Sequence, residues 1–380
     1  MKIIIAPDSF KGCMTAAEAA TAIEHGVHAV FPECETEKIP MADGGEGTVD
    51  ALVASTGGRI VEKTASDPLS KPVPGKYGIL GDESTAVIEM AAVSGLPLVP
   101  EQKRNPLHST TFGTGELIKD ALEAGCRKFI IGIGGSATND CGTGMAQALG
   151  VKFLRSDGTE IREHMRGGLL TEVAQIDLSK IHPAIKQSHI TVACDVDNPL
   201  LGPHGCAHVY SPQKGATPEI VEQLEAAMQQ FIEVVEKTVQ RQVRNFPGAG
   251  AAGGLGAGLM AFLGAELKPG IELVLNASRF NDRIAGADLI LTAEGKLDRQ
   301  TAFGKTIAGV VAAAKPKHIP VIAFAGSVED DAALVNMGLK GFFSICSGPM
   351  TLDYAMKHGE KLLQDTVVRV LRIIKNCDGG

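Results

Sequence analysis

Apolar runs of strand length alternate with helix-period segments along almost the whole chain, and this alternation leaves few folds open. Residues 2–6 read as a buried strand. Residues 15–31 read as a helix, with Thr15 as N-cap and Glu18 at capping-box spacing. A strand at 37–40, a helix at 47–55 and a strand at 59–64 follow. A β-α-β-α-β run of this kind implies a parallel sheet with helices on its faces. The C-terminal part repeats the pattern, with strands at 288–292, 320–325 and 341–346 and helices at 305–314, 330–337 and 352–375. The two ends are therefore expected to share one sheet.

The middle differs. Residues 66–81 are rich in Pro and Gly and suit a crossing between domains. Strands at 86–90, 128–133 and 190–195 and helices at 115–124 and 142–149 follow, then a Glu- and Gln-rich amphipathic helix at 218–241 with a solvated face. Residues 253–263 form a Gly/Ala helix that must pack very close to something. The expected fold class is α/β with two domains. The first is discontinuous, 1–66 plus 288–380, and the second is inserted at 67–287. A sequential split near residue 150 is the alternative.

Composition narrows the class. Of 380 residues 45 are Gly, aromatics are 4% and Trp is absent, yet 44% are hydrophobic, so a core can form and disorder is excluded. The net charge of −8 argues against a nucleic-acid partner. Eight Cys without a C-x-x-C pair read as reduced thiols, and a cytoplasmic location is expected. Residues 245–265 carry no charge but hold seven Gly, too few large apolar groups for a membrane span. The Gly excess has no G-X-Y period, which leaves backbone loops approaching a small ligand.

Five constellations follow strands, where open α/β sheets bind ligands. Pro7-Asp8-Ser9-Phe10-Lys11-Gly12 offers a carboxylate, a hydroxyl and an ammonium; an ordinary polar turn is the competing reading. Ala42-Asp43-Gly44-Gly45-Glu46-Gly47-Thr48 offers Asp43 and Glu46 for a metal or substrate hydroxyls, or a helix cap. Residues 132–144 hold five Gly and open a helix, so Gly134, Gly135, Ser136, Thr138 and Asn139 suit a phosphate; tight packing is the alternative. Asp195-Val196-Asp197-Asn198-Pro199 brings two carboxylates, for Mg²⁺ or as a base, or else a solvated turn. Residues 292–301 add Glu294, Lys296, Asp298 and Arg299.

Known fingerprints fail. Gly304-Lys305-Thr306 lacks the upstream Gly of a Walker A loop, since position 299 is Arg. The Gly132–Ala137 turn lacks a clear acidic partner for a dinucleotide site. His204 and His208 sit among Gly and Pro, so their spacing carries no metal signal. Backbone donors, carboxylates for Mg²⁺ and cations at Lys11, Lys296 and Lys305 are the parts phosphoryl transfer needs. They support a small-molecule kinase and do not name the acceptor.

Six motifs in order are similar to the glycerate kinase type 1 family: 7–12, 42–48, 134–140, 195–200, Gly-Ala-Ala-Gly-Gly at 250–254 and Glu-Gly-x-x-Asp-x-Gln-Thr at 294–301. The resemblance spans the chain and departs at Ala293, where Gly is expected. It implies ATP-dependent phosphorylation of D-glycerate to 2-phosphoglycerate in glyoxylate and sugar-acid metabolism. It also implies one flavodoxin- or Rossmann-like domain and one inserted mixed α/β domain, with the active site in the cleft between them.

From the chemistry of the side chains themselves, Asp195 is expected as base, with Lys11 and Lys296 facing the transferred group. Lys11 and Arg299 are the candidates for the substrate carboxylate. Asp8, Ser9, Asp43 and Glu46 are expected around the substrate. ATP lies on Gly134, Gly135, Ser136, Thr138 and Asn139, and Asp197, Glu294 and Asp298 are candidate Mg²⁺ ligands. A homo-oligomer is left open. The rivals are an NAD-dependent hydroxyacid dehydrogenase and a non-catalytic nucleotide or sugar-acid binding protein.

Overall fold

A computed structural model describes residues 1–302, 305–329 and 332–377. Gly304, and with it the Gly-Lys-Thr reading, lies outside the described residues, as does the expected helix start at Asp330. The chain divides into two compact units. The first comprises residues 1–43, 50–58 and 271–380, and the second comprises residues 44–49 and 59–270.

The first unit holds a five-stranded sheet in the order Gly341–Ser344, Val321–Val328, Leu289–Leu297, Lys2–Ile5, Glu35–Lys38. All its pairings are parallel. Counted along the chain this is the 2-1-3-4-5 order of flavodoxin-like sheets, whose switch point falls between the first and third strands. Those strands are Lys2–Ile5 and Leu289–Leu297. Ile3, Ile5, Leu291 and Phe324 are buried in the core, as two-sided burial of a parallel sheet requires.

The helix Ala16–His28 starts where the capping box places it. Thr15 Oγ1 accepts the Glu18 N–H at 3.2 Å, and Glu18 Oε2 accepts the Thr15 N–H at 2.8 Å. The expected long closing helix is two helices, Leu352–Lys357 and Gly359–Cys377. The chain breaks at His358, beside Gly359, where a Cβ would press on the side-chain ends of Cys13 and Met14.

The second unit holds a mixed sheet in the order Glu266–Lys268, His189–Ala193, Lys128–Gly132, Thr85–Glu89, Pro72–Ile79, Arg59–Ser66. Its first four strands are parallel and its last three form antiparallel pairs. Two expectations are corrected here. The strand at 59–66 does not extend the N-terminal parallel series, and the Pro-rich stretch after it is a strand. Pro72 and Pro74 are tolerated because pairing with Thr85–Glu89 involves only Gly78 and Ile79; the Pro-bearing half needs no donor on that side. Asp67 fixes the hairpin turn, accepting the N–H groups of Leu69 and Lys71, both at 2.8 Å.

The helix Pro218–Val239 buries Val221, Leu224, Met228, Phe231, Ile232 and Val235 along one side, so only its other side is solvated. The Gly/Ala segment Ala251–Leu263 is buried throughout most of its length. Among the described residues no helix is long and apolar enough to cross a membrane.

Candidate functional site

In the first unit the 6–12 loop leaves Lys2–Ile5 at the switch point. Two bonds pin it to the neighbouring strand: the Asp8 N–H donates to Ala293 O and the Thr292 hydroxyl to Ala6 O, each at 2.7 Å. Ala293 fits here as an ordinary extended, buried residue, so the departure from Gly leaves the strand intact. The Asp8 carboxylate accepts the Ser9 N–H at 2.6 Å and the Thr306 hydroxyl. Burial pushes its pKa up to about 6, and Asp43 adds repulsion.

Glu294 comes from the adjacent strand and is only 8% exposed. The Thr301 hydroxyl donates to its Oε1 at 2.6 Å. Burial nevertheless raises its pKa to about 7; Asp8 and Asp298 push the same way and Lys305 opposes them. Two acids that repel each other at a switch point form an electrostatically costly pair, the kind of arrangement that marks a functional site.

The rest of the first unit's candidates surround this pair in sequence. Lys11 is exposed, Ser9 and Asp43 half-buried. The backbone at Phe10 and Lys11 passes over Gly295, 3.7 Å from where a Cβ would stand. The Lys296 ammonium lies 3.3 Å from Asp298 and 2.6 Å from Glu329, which raise its pKa. Arg299 is exposed at the start of a short 3-10 turn.

In the second unit four loops gather at the carboxyl ends of the parallel strands. Gly44 lies against Gly132 and Ala193, the last residues of two of them, at φ +90°, where any side chain would overlap Ala193. The Val49 N–H donates to Glu89, the last residue of a third, at 2.8 Å. Glu46, between them in sequence, is exposed.

After Lys128–Gly132 the chain exposes Gly134 and Gly135, then dives inward. Among the described residues the N–H groups of Gly134 and Gly135 make no hydrogen bond. Ser136, Thr138 and Asn139 are buried. Asp140 anchors the loop from within. Its carboxylate accepts the Thr111 N–H and hydroxyl at 2.8 Å each and the N–H groups of Gly142 and Gly144 at 3.1 Å each. Burial still raises its pKa.

Asp195 and Asp197 are exposed beyond His189–Ala193. Asp195 Oδ1 accepts the Gly270 N–H at 2.9 Å. Asn198 bonds His204 O and the Tyr210 hydroxyl and so shapes the turn.

The 250–254 segment joins two of these loops. Gly250 donates to Asn198 O at 3.0 Å, and Cys141 donates to Gly253 O at 3.1 Å. Ala252, Gly253 and Gly254 are all left-handed, with φ of 52°, 73° and 81°. A Cβ on Gly253 would overlap the Thr138 carbonyl. The close packing expected of this segment is thus packing against the 134–142 loop.

Glu294 and Asp298 lie together in the first unit, while Asp197 belongs to the second. Among the described residues no three His, Cys, Asp or Glu side chains are grouped so as to hold a metal ion. Sequence reasoning passed over Glu89 and Lys214, and met Thr306 only in the rejected Gly-Lys-Thr reading. Lys214 is buried at the end of a 3-10 turn, and no local pattern distinguishes it from a surface lysine.

A family model described as the glycerate kinase family matches residues 3–375. The chain is 50% identical over 376 residues to a glycerate kinase of Bacillus subtilis strain 168, covering 99% of this chain and 98% of that one. It is 48% identical over 358 residues to a glycerate 2-kinase of Escherichia coli strain K12, covering 94% and 93%. A crystal structure assigned as glycerate kinase 2 from Salmonella typhimurium LT2 superimposes with a TM-score of 0.93, at 45% identity and over 100% of both chains.

Proposed function

We propose, from the premise that this chain belongs to the glycerate kinase family, that it transfers the γ-phosphoryl group of ATP to the 2-hydroxyl of D-glycerate. The products are ADP and 2-phosphoglycerate. The observation that carries the reading is the Gly134–Gly135 turn, whose exposed N–H groups follow a parallel strand and suit phosphate oxygens. Ser136, Thr138 and Asn139 continue that loop.

The donor set of the first unit fits Mg²⁺. The ion takes hard oxygen ligands and is held in kinase sites by one or two carboxylates plus phosphate oxygens, so a group of three protein ligands is not required. Glu294 and Asp298, with Asp8 beside them, are acids whose repulsion a divalent cation would offset. Asp197 is the candidate from the second unit. Bound Mg²⁺ supplies neutralisation of phosphate charge.

In the transfer the glycerate hydroxyl oxygen forms a bond to the γ-phosphorus, and the bond from that phosphorus to the ADP oxygen breaks. Asp195, its Oδ1 held by Gly270, accepts the hydroxyl proton. Lys11 or Arg299 receives the substrate carboxylate, and Lys296 or Lys11 faces the transferred group. Ser9, Asp43 and Glu46 orient substrate hydroxyls. One observation favours a second reading of the base: Asp8, pushed up to about 6, is matched to proton transfer near neutral pH.

Coupled measurement of ADP release with D-glycerate, with and without Mg²⁺, tests the reading. Mg²⁺-dependent ADP release that requires glycerate is expected. Oxidation of glycerate by NAD, or ligand binding without turnover, would overturn it.

A further inference from the structure

Lys214 is a lysine where lysines are rarely found. It is 1% exposed, and among the described residues its ammonium makes one hydrogen bond, to the Thr138 carbonyl at 2.7 Å. Burying a cation against one neutral carbonyl is costly unless something else gains from the charge. The surroundings are polar and incompletely bonded. Thr138 Oγ1, Asn139 Oδ1 and Ser211 Oγ are buried without hydrogen-bond partners among the described residues. Asn139 Nδ2 donates to Cys206 Sγ at 3.1 Å.

The bond to Thr138 O has a geometric consequence. In a trans peptide the C=O and the following N–H point in opposite directions. Gly253 closes over the same carbonyl from the 252–254 turn. The peptide between Thr138 and Asn139 is therefore fixed with its oxygen toward Lys214 and its N–H turned the other way. That N–H has no hydrogen-bond partner among the described residues.

We propose that Lys214 is a positioning residue for nucleotide binding, setting the Thr138–Asn139 peptide and placing a buried positive charge behind the Gly134–Asn139 loop so that it receives phosphate. This rests on reading that loop as the phosphate site. Burial pushes the Lys214 pKa down to about 8, while Asp140 favours its charged form; the other titratable group facing it is Cys206. Cys206 is itself pushed up to about 12 by burial and stays a thiol throughout the range in which Lys214 titrates. Lys214 therefore loses its charge just above neutral pH, and the loop's affinity for anions falls with it.

The test measures KM for ATP and kcat against pH from about 7 to 9.5 for the full-length enzyme, its Lys214→Met and Lys214→Arg variants, and Gly134→Asp as a control on the loop. In the unmodified enzyme KM for ATP is expected to rise about tenfold across the titration, the scale of one charge-assisted contact, with a smaller change in kcat. In Lys214→Met it is expected to be high and flat with pH, without loss of Tm. In Lys214→Arg it stays low at alkaline pH if the larger side chain is accepted. A Lys214→Met enzyme with an unchanged KM and pH profile, or one changed only in Tm, overturns the proposal. If Gly134→Asp, whose Cβ meets nothing within 4 Å among the described residues, also leaves KM for ATP unchanged, the loop reading fails as well. If only Gly134→Asp raises KM, the loop reading stands and the role of Lys214 alone is wrong.

Discussion

The Thr301 hydroxyl donates to Glu294 Oε1 at 2.6 Å and accepts the Asp298 N–H at 3.1 Å, so one side chain ties both acids at the end of Leu289–Leu297. Glu294 is still held near pKa 7, because burial outweighs that bond. Its folded pKa exceeds its ordinary value of 4.5. Stability from this group is therefore complete at acidic pH, begins to fall as pH rises past about 4.5, and is lost once pH passes about 7. Glu294→Gln is expected to remove that slope and to raise stability at pH 8 by up to ~3 kcal/mol in the absence of ligands. Denaturant unfolding at pH 5 and pH 8 checks it; equal slopes for the two proteins would contradict the assignment.

The identity of the base separates on Asp195 and Asp8. With Asp195 as proton acceptor, Asp195→Asn is expected to lower kcat by about 10²–10⁴-fold with little change in either KM. With Asp8 in that role, Asp8→Asn takes the loss, and the acidic limb of the kcat profile, near the Asp8 pKa of about 6, disappears in that variant. The pH dependence of kcat for both variants decides. A near-normal kcat in Asp195→Asn rules that residue out.

Gly253 and Gly134 are both glycines, yet they should answer substitution in opposite ways. A methyl at Gly253 meets the Thr138 carbonyl at φ +73°. Gly253→Ala is expected to cost about 2–5 kcal/mol through overlap and left-handed strain. A methyl at Gly134 meets nothing within 4 Å among the described residues, so Gly134→Ala should change stability by no more than about 0.5 kcal/mol. It should nevertheless raise KM for ATP, since that surface is the one assigned to phosphate. Thermal unfolding and steady-state kinetics on the pair check this.

Lys296 is half exposed between Asp298 and Glu329. As an exposed structural ion pair it contributes little to stability. As the cation facing the transferred group it is worth far more to the rate. Lys296→Ala is expected to leave Tm nearly unchanged and to cut kcat by about 100-fold or more. A stability loss without a rate loss would reassign it.

Local chemistry made much of this legible. The Thr15–Glu18 capping box, the strand-end position of Asp8 and the tight packing of the Gly/Ala segment 253–263 all follow from short-range pattern, and the structure shows each. The hairpin at 59–79 is not legible in the sequence because Pro and Gly normally signal a crossing; a one-sided pairing lets Pro72 and Pro74 stay in a strand. The bond from Thr306 to Asp8 and the burial of Lys214 against Thr138 join residues 298 and 76 positions apart. No local periodicity encodes such contacts. They arise from how distant segments meet at the strand ends.

Transfer of the γ-phosphoryl group of ATP to the 2-hydroxyl of D-glycerate is open to direct test by product identification with ³¹P and ¹³C NMR. The purified chain is incubated with ATP, Mg²⁺ and D-glycerate labelled at C2. Phosphorus coupling to the labelled C2 through a single oxygen, with stoichiometric ADP, is the expected result. Phosphorus on the C3 oxygen, or no phosphorylated glycerate at all, would contradict it.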